Sequence, residues 1–389
     1  MRRIATLLSL LLFASASPAT VIGPGGRFVD MAIGADGFPV IAYSLYIDGA
    51  PPGGGLQVAK CGDAACNTFV TRPVDTQGVV AFHVSIAVGP DGLPAISYFQ
   101  ADGNSLRFVK CGDAACSTGN VARTLDGGGG VNRGQYSSIA VTSDNRPFIS
   151  YFDSNAYRVR YAACNDPTCA TGSTQQAGTQ NQNLGEYTSM AMGAGDIPQF
   201  TYQNAQSLGL NLYRCSNGPA CNSGIGNFFV QVNACSGTGS YNSLAFGSDG
   251  LPVVTYYNTC IGALNLARCT DAFCAGGNII TTIDGNGSSP FVGKHSALAI
   301  AGNGNPLVSY WDESNQVVKL LRCGDPACSA NNVKTTIGPA GDDNGTGRIT
   351  ALVVSAGGIP VVAYGNVTTD QLNVVAILPD AMFSDSFED

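Results

Sequence analysis

The sequence predicts an all-β protein, a seven-bladed β-propeller built from four-stranded blades. Three observations predict it: a turn motif that recurs seven times, a composition rich in glycine and poor in charge, and a strand missing at the C-terminus that is present at the N-terminus. The chain has 389 residues, with 50 glycines, 19 prolines and 12% charged residues. Such a composition is typical of strands and turns rather than of helices.

The recurring motif is a proline that is followed four residues later by a tyrosine. The seven pairs are Pro39 and Tyr43, Pro94 and Tyr98, Pro147 and Tyr151, Pro198 and Tyr202, Pro252 and Tyr256, Pro306 and Tyr310, and Pro360 and Tyr364. Successive prolines are 51 to 55 residues apart. A regular period of this length is typical of propeller blades. The tyrosines are interpreted as core residues wedged between blades.

The second repeat shows the four strands of a blade. Residues 85–88 alternate as a strand, an Asp-Gly turn follows, and residues 94–98 return as the second strand. Residues 106–110 and 120–125 are predicted to be the third and fourth strands. Four short strands in each period of about 50 residues predict a propeller.

The two ends of the chain predict closure of the ring. The seventh repeat has strands at 349–354, 360–364 and 372–378 but no fourth strand after them. Residues 20–24, Thr-Val-Ile-Gly-Pro, match residues 335–339, Thr-Thr-Ile-Gly-Pro, which form the fourth strand of the sixth repeat. The N-terminal segment is therefore predicted to complete blade seven and to remove its open edge.

The first residues predict export. Arg2 and Arg3 precede an apolar run over 4–13, and Ala14-Ser15-Ala16 follows as a cleavage site. We therefore divide the chain into a signal peptide (1–16), a propeller (17–380) and a short acidic tail (381–389). The mature protein is expected to be secreted, periplasmic or on the cell surface, without a membrane span. A formal charge of −8 argues against nucleic acid as a partner, and we expect a monomer.

An even number of cysteines, fourteen, in an exported chain predicts disulfides. Six pairs are local, one in each of the first six repeats: Cys61 with Cys66, Cys111 with Cys116, Cys164 with Cys169, Cys215 with Cys221, Cys269 with Cys274, and Cys323 with Cys328. Cys235 and Cys260 are left to pair with each other. Zinc is the competing interpretation, but the thiols belong to different blades and the chain has only two histidines.

Propeller topology places the disulfide loops and the Asp-Gly turns on one face, and the opposite face is the candidate binding face. Just before each first strand, that face is expected to carry a ring of side chains around the channel mouth: Phe28, His83, Tyr136, Tyr187, Tyr241, His295 and Arg348. Aromatic rings with polar tips suit sugars or peptides. The alternative is that these rings only pack blade against blade.

Polar loops follow the second strands on the same face, and Trp311 and Asp312 in the sixth repeat are the strongest candidates among them for ligand contact. Their carboxylate and amide oxygens leave structural calcium open, although no dedicated calcium-loop pattern is present. The alternative is that Asp and Asn only form solvated turns. No cofactor, resident metal or catalytic residue is predicted.

The repeat resembles a known type of secreted protein. The segments 138–141, 147–153 and 164–169 resemble the S-L-A, G-x-P-x-x-S-Y-Y-D and C-x-D-x-x-C elements of repeats in large secreted bacterial propellers, most of them uncharacterised. The resemblance covers the mature chain and implies the architecture, without catalytic residues. The tail 383–388 is also similar to short endings of secreted proteobacterial proteins, which implies a bacterial source.

Two functions from different classes fit these observations. The first is a secreted or envelope-associated binding or scaffolding propeller that recognises a glycan, peptide or protein on the face opposite the disulfides. The second is an extracellular polysaccharide hydrolase or lyase that uses Asp153, Asp312 or Glu313 at the channel mouth, with His295 or Tyr241. No repeat departs from the others strongly enough to identify a catalytic pair of carboxylates, and we favour binding.

Overall fold

A computed structural model of the chain describes residues 15–46, 55–75, 81–177, 184–204, 209–216, 218, 221, 224–230, 238–285, 291–341 and 349–378. The predicted tail (381–389) and most of the predicted signal peptide lie outside these residues. No helix in the described part of the chain is long and apolar enough to cross a membrane.

The described chain folds into seven antiparallel sheets arranged as blades. The N-terminal strands are β1 (Ser15–Ala16) and β2 (Thr20–Pro24). Blade one has β3–β6 (Val29–Ile33, Pro39–Ser44, Leu56–Cys61, Phe69–Asp75) and blade two has β7–β10 (Ala81–Val88, Pro94–Gln100, Ser105–Lys110, Val121–Gly127). Blade three has β11–β14 (Arg133–Val141, Pro147–Asp153, Arg158–Cys164, Gly172–Gln176) and blade four has β15–β18 (Leu184–Gly193, Ile197–Asn204, Gly209–Cys215, Gly224–Val230).

The remaining blades repeat this order. Blade five has β19–β22 (Ser240–Phe246, Pro252–Asn258, Ala263–Arg268, Ile279–Asp284) and blade six has β23–β26 (Val292–Ile300, Pro306–Asp312, Val317–Arg322, Val333–Pro339). Blade seven has β27–β29 (Thr350–Ser355, Ile359–Asn366, Gln371–Leu378), with a single 3-10 turn at Ala356–Gly358 between its first two strands. The predicted seven-bladed propeller is therefore confirmed.

Blade seven is completed by the start of the chain, as the sequence predicts. β2 pairs antiparallel with β29, with Thr20 opposite Val374 and Pro24 opposite Gln371. β1 pairs further along the same edge, where Ser15 lies opposite Leu378. The first strands of neighbouring blades contact each other around the whole ring, including β27 with β3.

Hydroxyl groups on the first strands link each blade to the next. In blades two to five, a serine at the same repeat position accepts a backbone N–H from the following blade. The bonds run from Ile139 N to Ser85 Oγ (3.3 Å), Met190 N to Ser138 Oγ (2.9 Å), Leu244 N to Ser189 Oγ (2.9 Å) and Leu298 N to Ser243 Oγ (3.1 Å). These groups are buried, so water cannot reach them. Each bond therefore satisfies a backbone N–H donor that would otherwise be unpaired.

The seven tyrosines that follow the prolines are buried between blades, as predicted; none is more than 2% exposed. In blades two, three and six, the hydroxyl donates to an aspartate at the end of the preceding blade's fourth strand. The bonds are Tyr98 to Asp75 (2.7 Å), Tyr151 to Asp126 (2.5 Å) and Tyr310 to Asp284 (2.6 Å).

The six local disulfides are formed as predicted. Cys260 is also disulfide-bonded, but its expected partner Cys235 lies outside the described residues. Five of the six disulfide loops contain an aspartate that caps the loop; Asp113, for example, accepts the backbone N–H groups of Ala115, Ser117 and Thr118 at 2.8–3.0 Å. These aspartates accept hydrogen bonds within their own loops, which supports a structural role for the face that carries the disulfides.

Candidate functional site

The channel mouth is built from a Gly-x-aromatic element at the start of the first strands. Gly134, Gly185 and Gly293 have φ values of 115°, 122° and 106°. A Cβ on Gly134 would lie 2.6 Å from the Cα of Leu106 in the neighbouring blade, so only glycine fits there. The glycine lets the chain pass close to the adjacent blade and directs the residue two positions later toward the channel.

The aromatic residues themselves adopt the left-handed conformation, with φ values of 51–54° at His83, Tyr136, Tyr187, Tyr241 and His295. Each lies at a β-bulge, where the pairing between first and second strands shifts register. A bulge re-aims a side chain, and a non-glycine residue in this conformation needs support from its surroundings.

Support comes from the next blade, whose side chain donates a hydrogen bond to the carbonyl of the aromatic residue. The donors and acceptors are Ser137 to His83 (2.7 Å), Thr188 to Tyr136 (2.6 Å), Asn242 to Tyr187 (2.5 Å), Ser296 to Tyr241 (2.8 Å) and Thr350 to His295 (2.6 Å). The orientation of each aromatic side chain is therefore fixed by two blades together.

Six aromatic side chains from blades one to six contact each other in sequence around the mouth, and we call them the aromatic ring: Phe28, His83, Tyr136, Tyr187, Tyr241 and His295. Neighbouring centroids are 4.3–4.6 Å apart from His83 to His295, and 5.1 Å apart between Phe28 and His83. Phe28 and His295 are buried, whereas the four members between them are partly exposed. Both packing and ligand contact are compatible with this geometry.

The seventh position of the ring belongs to Ile349. Thr350 donates a hydrogen bond to the His295 carbonyl, as Ser296 does to the Tyr241 carbonyl, so the residue before Thr350 corresponds to His295. Ile349 is fully buried. Arg348, which was predicted to belong to the ring, lies outside the described residues and directly precedes Ile349 in the chain. The glycine two positions before the ring residue, present here as Gly347 before Ile349, is the sequence signal for this register.

Burial controls the protonation of the ring. Burial lowers the pKa of His83 to about 3, so its imidazole is neutral near pH 7. Burial also raises the pKa of Tyr136, with smaller contributions from the neighbouring Tyr187 hydroxyl and the negative charge of Glu186. His83 and Tyr136 are therefore neutral near pH 7 and can donate and accept hydrogen bonds.

Glu186 lies immediately before the ring residue of blade four and was not singled out by the sequence analysis. It is partly buried, and it faces Gln203 across the strand pair. Burial raises the pKa of its carboxyl group. Among the described residues, no side chain or backbone group forms a hydrogen bond or an ion pair with this carboxylate.

The structure places the two loop candidates, Trp311 and Asp312, beneath the surface. Trp311 is 1% exposed and packs 5.7 Å from His295, with the Lys294 ammonium 5.6 Å from its ring centre. Asp312 is fully buried; Lys319 forms an ion pair with it, and Asn315 donates from its backbone (3.1 Å) and side chain (2.8 Å). Both residues are therefore buried and contact other residues of blade six.

The other mouth carboxylates are also compensated. Asp153 is 1% exposed and accepts a hydrogen bond from Arg133 at 2.6 Å. Glu313 forms an ion pair with Lys294 at 2.7 Å. In the described part of the chain, no group of three or more His, Cys, Asp or Glu side chains is arranged to hold a metal ion.

No protein-family model and no curated protein matches the chain. Solved structures similar to it include hydrazine synthase of Kuenenia stuttgartiensis, at 12% identity and a TM-score of 0.57 over 96% of this chain and 100% of that one. A GH93 α-L-arabinofuranosidase of Fusarium graminearum, solved with arabinobiose, is 10% identical with a TM-score of 0.54 over 94% and 98% of the two chains.

A protein of unknown function from Dyadobacter fermentans is similar to the same degree, with 10% identity and a TM-score of 0.54 over 94% of this chain and 99% of that one. These identities are far below the level at which a site is shared, and the differing activities named for these proteins illustrate that a propeller does not determine chemistry. The comparisons therefore show the fold alone.

Proposed function

We propose that this chain is an exported binding protein that takes a glycan at the mouth of its channel, on the face opposite the disulfide loops. The observation that carries the proposal is the aromatic ring, in which four neighbouring side chains from four blades are partly exposed. A sugar offers apolar C–H faces that stack on such rings and hydroxyl groups that bond to their polar tips.

The surroundings of the ring support binding over hydrolysis. Gln135 and the hydroxyl groups of Tyr136 and Tyr187 supply neutral hydrogen-bonding groups, whereas Asp153, Asp312 and Glu313 are already neutralised by basic neighbours. Six disulfides support an oxidising, extracellular destination. An exported protein is expected to begin at Ser17, which mass spectrometry of the secreted chain would check.

One observation favours the second candidate, a polysaccharide hydrolase. A glycosidase needs an acid whose pKa is raised, and Glu186 has that property. It also needs a second carboxylate, and the other described mouth carboxylates identified above are engaged with cations. We therefore rank hydrolysis below binding.

The first experiment applies the purified, oxidised protein to a glycan and polysaccharide array and assays reducing ends in the same wells. The ring variants are Tyr187→Ala and the triple variant with Tyr187, Tyr241 and His295 all changed to alanine. Tyr157→Ala is the matched control, because Tyr157 is an exposed tyrosine outside the ring. Far-ultraviolet circular dichroism verifies that each variant is folded.

Glycan binding that is lost in the ring variants and kept in Tyr157→Ala would support the proposal. Release of new reducing ends would shift the assignment to the hydrolase. Binding that is unchanged in folded ring variants would place the ligand elsewhere, and an array without any bound glycan would contradict the proposal in favour of a protein partner.

A further inference from the structure

The charged side chains next to the aromatic ring differ in whether an oppositely charged side chain lies beside them. The position directly before the ring residue carries Arg27, Phe82, Gln135, Glu186, Ser240 and Lys294 in blades one to six. Glu186 is the single acidic residue in this series. Lys294, the basic residue of blade six, is held by Glu313 and lies over the rings of Tyr257 and Trp311.

Each of the other mouth carboxylates described above has a cation beside it. Asp153 has Arg133, Asp312 has Lys319 and Glu313 has Lys294. The Glu186 carboxylate receives neither a hydrogen bond nor a cation from the described residues, although it is partly buried. Desolvating a carboxylate without a partner is unfavourable, so this group gains most from a positive charge that arrives with a ligand.

The rings beside Glu186 suit the same positive charge. Its negative charge contributes to raising the pKa of the Tyr136 phenol, so the carboxylate acts on this ring. Tyr136 and Tyr187 are 4.6 Å apart, and Tyr241 follows at another 4.6 Å. A cation near aromatic faces is attracted by their quadrupoles, and a carboxylate nearby adds a charge-assisted hydrogen bond.

We infer that the glycan taken at this mouth carries primary ammonium groups, as in a polymer of de-N-acetylated hexosamine, and that Glu186 pairs with one of them over the Tyr136 and Tyr187 rings. The inference rests on the proposed function and names its substrate class. An amino sugar combines the three features this sector accommodates: an apolar face for the tyrosines, hydroxyl groups for neutral polar side chains, and an ammonium for the carboxylate.

The test compares two ligands that differ only in the charge of the nitrogen: the glucosamine hexamer and the N-acetylglucosamine hexamer. Isothermal titration calorimetry of the full-length oxidised protein is expected to show at least tenfold tighter binding of the glucosamine hexamer. Glu186→Gln is expected to remove this preference. Glu313→Gln is the matched control, because it removes a carboxylate of the same face that Lys294 already neutralises, and it should retain the preference.

Thermal unfolding separates lost binding from lost folding. Because none of the described residues compensates the partial burial of the Glu186 carboxylate, Glu186→Gln should be at least as stable as the wild type at pH 7. A folded, stable variant that has lost the preference for glucosamine supports the inference.

Several results would overturn it. Equal binding of the two hexamers would show that the ammonium group is not recognised, although the protein would still bind a glycan. Binding of neither hexamer would refute the inference, while the array decides the proposed function independently. An equal loss in Glu186→Gln and Glu313→Gln would indicate a general charge effect, and tighter binding of a lysine hexapeptide than of the glucosamine hexamer would replace the glycan by a peptide.

Discussion

At the scale of single residues, the left-handed backbone conformation of the ring residues from His83 to His295 determines which side chains line the mouth. A bulge places each aromatic residue from His83 to His295, with a glycine two positions earlier in blades three to six. The carbonyl of each of these residues is held by the next blade, as in the 2.6 Å bond from Thr188 to Tyr136. His83 shows the consequence, because burial among its neighbours keeps its imidazole neutral.

The depressed pKa of His83 predicts a pH dependence of stability. Its pKa falls from 6.5 to about 3 on folding, so the unfolded chain binds the extra proton between these values. Stability is therefore lost as the pH falls below about 6.5, by about 2 kcal/mol at pH 5. In His83→Phe, which copies Phe28 of blade one, urea unfolding at pH 7 and pH 5 should show this loss removed.

Two measurements test this prediction: the titration of His83 in the folded protein and the pH dependence of stability in His83→Phe. Nuclear magnetic resonance of the folded wild type should show no titration of His83 above pH 4. Titration near pH 6.5, or an unchanged pH dependence in His83→Phe, would show that the imidazole is solvated.

At the scale of elements, the interface between blades varies in a correlated way. Where an aspartate ends the preceding fourth strand, a basic residue faces the buried tyrosine from the third strand: Asp75 with Arg107, Asp126 with Arg160, and Asp284 with Lys319. Where glycine replaces the aspartate, at Gly23 and Gly338, the facing residue is an amide, Gln57 or Asn373. Burial by itself raises the pKa of Asp126, but hydrogen bonds from Tyr151 and Arg133 outweigh it and lower that pKa.

This correlation predicts strong coupling between Asp75 and Arg107, which are 6% and 8% exposed. Asp75→Gly leaves a buried guanidinium without its carboxylate and is expected to cost about 3 kcal/mol in the free energy of unfolding. The double variant Asp75→Gly with Arg107→Gln reproduces the Gly23, Tyr43 and Gln57 arrangement of blade one and should recover at least half of that loss.

Urea unfolding of the wild type, Asp75→Gly, Arg107→Gln and the double variant forms a complete cycle. Losses that simply add in the double variant would show that the two side chains act independently. The stability of the double variant would then give no support to a charge-matched interface.

At the scale of the whole molecule, stability depends on the closure of the ring. β2 supplies the outer edge of blade seven, and Ile22 packs in a core that also contains Tyr43 and Val374. Blade seven also contacts blade one through a hydrogen bond from Ser355 Oγ to the carbonyl of Ala64 at 2.7 Å. The edge that β2 covers would otherwise expose unpaired backbone groups.

Truncation of the N-terminus tests this closure. A chain that begins at Gly25 lacks β2 and should lose cooperative unfolding and aggregate, because the β29 edge is open. A chain that begins at Ser17 keeps β2 and is the control, expected to unfold cooperatively. Calorimetry and light scattering would measure both, and a cooperative, monomeric Gly25 chain would show that the ring closes without the N-terminal strand.

The number of blades, the order of strands, the closing strand and the six local disulfides were predictable from the sequence alone. Each of these depends on residues close together in the chain or on a pattern that repeats seven times. The sequence also predicted the six aromatic residues that contact each other around the mouth, whereas Arg348, predicted for the seventh position, lies outside the described residues.

Only the tertiary structure decided which mouth residues remain available for chemistry. Trp311 and Asp312 are polar-tipped loop candidates in the sequence, but neighbouring strands cover them and Lys319 neutralises Asp312. Glu186 is one acid among many in the sequence. Only the structure shows that, among the described residues, no cation lies beside it, whereas Asp153, Asp312 and Glu313 each have one. Such properties depend on contacts between neighbouring strands, such as Arg133 with Asp153 and Lys294 with Glu313. The repeat pattern shows which residues lie at the mouth, but it does not show which of their charges are paired.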